Sequence, residues 1–172
     1  MGEIAHEVPP LDVRREGVEC WMSRPYIAQH GEGEAVWSND DGAVTMSYHT
    51  IAPSFSCIVY DYEGLGNRVL LNTVQPVGLG GEGSIIRFVV GVDAAFKGPT
   101  LEECLALETQ VYLEDQPILD GLRPREVPFG EEMEFSVASD RYTVAYRRCF
   151  LEFVARTLGD TESRDGARVA AS

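Results

Sequence analysis

From Leu11 to about Gly91 apolar residues recur at every second position, and turn-forming residues interrupt the pattern at short intervals. This is the signature of antiparallel strands joined by tight turns. Leu11 and Val13 precede Glu16-Gly17, and Val18, Cys20 and Met22 then share a face, which predicts a hairpin. A strand over Ala43–Ile51 groups Val44, Met46 and Tyr48 against Thr45, Ser47 and His49. The next, Ser54 to Tyr62, sets Phe55, Cys57 and Val59 against Ile58, Tyr60 and Tyr62, so it is apolar on both faces and expected to be central and covered on both sides. Strands over Arg68–Val77 and Ser84–Val92 follow, separated by the cluster Gly78, Gly80, Gly81 and Gly83. That cluster has neither the lysine nor the spacing of a phosphate-binding loop and reads as a hairpin connection.

The period changes after Pro99. Thr100-Leu101-Glu102-Glu103 has the form of a capping box, in which hydroxyl and carboxylate satisfy two backbone donors reciprocally. Leu101, Cys104, Leu105, Glu108, Val111, Tyr112 and Asp115 then follow at helical spacing, so Asp115 is expected to continue an inward face that begins with leucines and a cysteine. Pro117 is expected to end or bend this helix. After an irregular connector through Arg123-Pro124, Pro128 and Gly130, a second helix is expected from about Asp140 to Leu158, with Ala145, Cys149 and Phe153 on one row and Gly159 as its stop. The order predicts an α+β domain over residues 1–159, a curved antiparallel sheet wrapped around a C-terminal helix, and a small polar tail over 160–172 without fixed structure.

A chain of 172 residues fits one such domain. The net charge of -14 repels a phosphate backbone and argues against nucleic acid. No apolar run reaches the ~20 residues of a membrane span. The first residues, Met1 to Glu7, carry acid where a signal peptide needs base, so the expected location is cytoplasmic. Cys20, Cys57, Cys104 and Cys149 lie far apart with no histidine close by, which excludes a local zinc site and reads as four small core residues.

Two stretches carry a family likeness. Val111-Tyr112-Leu113-Glu114-Asp115-Gln116-Pro117-Ile118-Leu119-Asp120-Gly121-Leu122-Arg123-Pro124, together with Asp140-Arg141-Tyr142-Thr143-Val144-Ala145-Tyr146-Arg147-Arg148, resembles the C-terminal end of Rieske-type non-haem iron oxygenase alpha subunits, the aromatic-ring-hydroxylating and vanillate O-demethylase-like ones. The resemblance implies a helix-grip (START/Bet v 1-like) fold and a mononuclear Fe(II) held by two histidines and one carboxylate. It implies dioxygen chemistry on an aromatic or similar apolar small molecule, a reductase or ferredoxin as electron donor, and assembly such as a homotrimer. The carboxylate maps onto Asp115, with Glu114 as a surface neighbour.

The rest of that machinery has no counterpart in the sequence. A Rieske 2Fe-2S cluster needs two cysteines and two histidines in paired motifs, which this chain does not encode. The family's Asp-x-x-His-x-x-x-x-His segment is also missing, because His6, His30 and His49 are the only histidines and no two are five apart. The expectation is therefore a catalytic-domain portion carrying one iron ligand of three. His49, Tyr60 and Phe88 are candidates to line a substrate pocket, and His6 is a ligand only if the correspondence is shifted. The alternative is a metal-free helix-grip module that binds a hydrophobic small molecule or a partner subunit.

Overall fold

The structure, a computed structural model, describes residues 11–27, 43–78, 83–122 and 136–169, without the side chains of 24–27, 43 and 160–169. His6, His30, Trp37 and the connector around Arg123-Pro124, Pro128 and Gly130 lie outside the described residues. Six strands form one antiparallel sheet in sequential order, and two helices follow. They are β1 (Asp12–Glu16), β2 (Glu19–Ile27), β3 (Ala43–Ile51), β4 (Phe55–Tyr62), β5 (Gly66–Val77) and β6 (Gly83–Val92), then α1 (Leu101–Gly121) and α2 (Arg141–Val169). The α+β class and the antiparallel order are as the period-two pattern predicts.

Register decides which side chains meet the helices. Cys20 pairs with Thr50, Thr50 with Ser56, Ser56 with Asn72 and Asn72 with Phe88, so all five project from one face. Cys20 packs there against Ala145 and Cys149 of α2, and the Tyr142 hydroxyl is hydrogen-bonded to Thr50. Asn72 on the same face is hydrogen-bonded to Tyr112 of α1. Both helices therefore cover one side of the sheet, α2 over β1 and β2 and α1 toward β6. The central strand β4 is covered by helix on that side only among the described residues, although it is apolar on both.

Two helix ends differ from expectation. Pro117 does not stop α1, which runs on to Gly121. Proline deletes one backbone donor, but the following residues still bond back to carbonyls behind them. Gly159 does not stop α2, which continues to Val169 into the stretch expected to be an unstructured tail. A glycine inside a helix costs about 1 kcal/mol relative to alanine, which a 29-residue helix can absorb.

Candidate functional site

Helix α1 begins where the sequence indicates. Thr100 accepts from the Glu103 amide at 3.3 Å, and the Thr100 amide donates to the Glu103 carboxylate at 2.8 Å. These contacts hold the Glu103 carboxyl below its ordinary range, first through the Thr100 backbone and then through its hydroxyl.

The inward row of α1 is not the leucine row. Leu101 and Leu105 are 50% and 47% exposed, and Val111 is also exposed. Cys104 and Glu108 are buried instead, and Tyr112 is half-buried, three residues at a spacing of four that face the sheet. The reason lies opposite them. Arg68 of β5 is only 4% exposed and meets Glu108, itself 5% exposed, in a buried ion pair. The Arg68 guanidinium also lies 4.1 Å from the centre of the Tyr60 ring, so the cation is held between a carboxylate and an aromatic face. Burial raises the Tyr60 and Tyr62 hydroxyls, with Glu108 adding to the rise at both and Arg68 opposing it.

One turn further along, the Tyr112 ring stacks on Phe88 with centroids 4.8 Å apart, while its hydroxyl bonds Asn72. Asp115 follows one more turn on. It is exposed, so the expectation of an inward carboxylate is corrected: the buried row ends at Tyr112. Its charge is nonetheless close enough to raise the Tyr112 hydroxyl, behind the larger effects of burial and Glu108. Glu114 is committed elsewhere on the helix, accepting from Gln110 at 2.7 Å. No hydrogen bond or ion pair engages Asp115 among the described residues.

Of the pocket candidates, Tyr60 and Phe88 lie on the helix-bearing face. His49 does not. It pairs with Trp21 and Cys57 on the opposite face, stacks on Trp21 at 4.8 Å, and is hydrogen-bonded to Glu19 at 2.7 Å. Arg14 caps the other side of Trp21 at 4.4 Å from its centroid. A one-position difference in parity sends a strand residue to the other side of the sheet, so His49 cannot share a cavity with Phe88.

Sequence reasoning missed Arg68 and Asn72; it had Cys104, Glu108 and Tyr112 on the inward row of α1 but not the ion pair that holds Glu108 there. An acid four residues after a buried cysteine was the available signal. The described residues do not make an iron site by themselves: no three of His, Cys, Asp and Glu converge among them, and Asp115 stands as one carboxylate. No family model matches the chain, and no curated protein matches it.

Proposed function

We propose that this chain is the substrate-binding portion of a Rieske-type oxygenase catalytic domain of helix-grip form, and that Asp115 is its contribution to a mononuclear Fe(II) centre. The reading is carried by the position of Asp115, an unengaged carboxylate one turn beyond the Tyr112–Phe88 stack, on the helix that lies against the sheet. The segment Glu114-Asp115-Gln116-Pro117-Ile118 supports it by likeness. The two imidazoles such a centre needs would come from outside the described residues. Iron would supply dioxygen activation when bound. This chain's own part is to present one carboxylate and an aromatic floor of Phe88 and Tyr112 for an apolar substrate.

The second reading, a metal-free module binding an apolar small molecule, is favoured by the exposure of Asp115 and by the aromatic lining of the same face, where Tyr48 and Tyr142 lie 5.8 Å apart. The DNA immediately upstream of Met1 separates the two. An in-frame Asp-x-x-His-x-x-x-x-His segment preceded by paired Cys-His cluster motifs is the result expected for the oxygenase. An independent promoter and start site there, with no co-purifying chain that supplies those histidines, would contradict it.

A further inference from the structure

A separate cleft lies at the other edge of the sheet. Its volume is about 320 Å³, at the small end of ligand sites, and it is open to solvent between β1 and the first two turns of α2. Five strand spacings, roughly 24 Å, separate β1 from β6, so this cleft is remote from the Phe88–Tyr112 stack. Its walls combine two chemistries. Val13, Val137 and Val144 make aliphatic surface, and Arg15, Arg141 and Arg148 bring three guanidiniums to it. The helix residues Arg141, Val144 and Arg148 stand three and four apart, so a single stripe of α2 presents both the charges and the apolar wall.

The charge there runs against the molecule as a whole, which carries -14. Arg15 has a carboxylate partner, Glu152 at 2.8 Å, which also takes Arg156. Arg141 donates to the backbone oxygen of Leu11 at 3.3 Å, a neutral acceptor. For Arg148 no hydrogen bond or ion pair exists among the described residues. No acid is among the described residues that line the cleft. The first turn of α2 carries no acid either. Asp140, just before it, is turned back to accept from the Val137 amide at 2.9 Å.

We infer that this cleft binds a small aliphatic carboxylate, its oxygens on the planar forks of Arg141 and Arg148 and its hydrocarbon body against Val13, Val137 and Val144. Guanidinium matches a carboxylate with two parallel hydrogen bonds. The valine walls favour an organic anion over an inorganic one, because a bare phosphate leaves them wet.

Sodium hexanoate is the probe, titrated into the full chain by calorimetry. One saturable site is expected, weakened at least tenfold by Arg148→Gln and by Arg141→Gln, neither of which alters the far-ultraviolet circular dichroism because both side chains are exposed. Rising salt weakens it further. 1-Hexanol, which lacks the charge, and inorganic phosphate, which lacks the apolar body, each bind at least tenfold more weakly. Absence of saturable hexanoate binding, indifference to Arg148→Gln, or phosphate binding as tightly as hexanoate would each overturn the inference.

Discussion

Arg68 on β5 and Glu108 on α1 form a buried ion pair that fixes the helix against the sheet, two turns before Asp115 on the same helix. Removing one partner leaves a buried charge without its counter-ion, which costs about 3–5 kcal/mol. Glu108→Ala is therefore expected to destabilise the fold by roughly that amount in urea unfolding. The double change Arg68→Met with Glu108→Leu is expected to cost much less than the two single changes summed, because it removes both charges and refills the space.

The four cysteines differ in access. Cys20, Cys104 and Cys149 are 0% exposed, while Cys57 is half-buried on the face opposite α1 and α2. A thiol reagent should label Cys57 first in the native protein and the other three only on unfolding. Burial pushes the Cys20 thiol up to about 12, and the neighbouring Cys149 adds to the rise. Burial also raises Tyr142 beside it. A raised folded value means that the stability contribution is complete below the ordinary thiol value of 9.0 and is lost as pH rises toward 12. The urea midpoint should accordingly fall across that interval.

At the acid end the sign is opposite. Hydrogen bonds from Thr100 hold the Glu103 carboxyl below its ordinary value of 4.5, so its contribution is present above 4.5 and lost as pH falls through the lowered value. Thr100→Ala removes the hydroxyl that receives the Glu103 amide and is expected to cost about 1 kcal/mol. The loss should be smaller in acid than at neutral pH, as read by unfolding at each.

His49→Ala separates the two faces of the sheet. It removes the partner stacked on Trp21 and is expected to change Trp21 emission. Binding of an apolar ligand on the side of Phe88 and Tyr112 should be unaffected. A large loss of such binding would place the ligand on the Trp21 side instead.

Much of the architecture was legible because strands report their faces through parity. Ala43–Ile51 sorted into its two faces from the alternation of Val44, Met46 and Tyr48 with Thr45, Ser47 and His49. The start of α1 was legible because its cap is local chemistry between Thr100 and Glu103. Parity did not say which face the helices would cover, so His49 was grouped with Tyr60 and Phe88. The inward row of α1 was legible as far as Cys104, Glu108 and Tyr112, but not the exclusion of Leu101, Leu105, Val111 and Asp115 from it. Leucines are the usual inward residues of a helix, but Arg68 offers Glu108 a buried partner, and that pairing is a tertiary fact. The far ends of both helices lie beyond the expected ones, α1 running through Pro117 to Gly121 and α2 through Gly159 to Val169, because the flanking backbone bonds persist.

Anaerobic metal analysis is the sharpest test of Asp115 as an iron ligand. This chain alone, incubated with Fe(II) and desalted, is expected to retain no stoichiometric iron, since a single carboxylate does not compete with water for the metal. Combined with a polypeptide that supplies the two-histidine segment, it should retain one iron per chain, lost on Asp115→Ala and kept on Glu114→Ala. Stoichiometric iron on the chain alone, or iron retained by Asp115→Ala in the combined protein, would contradict the account.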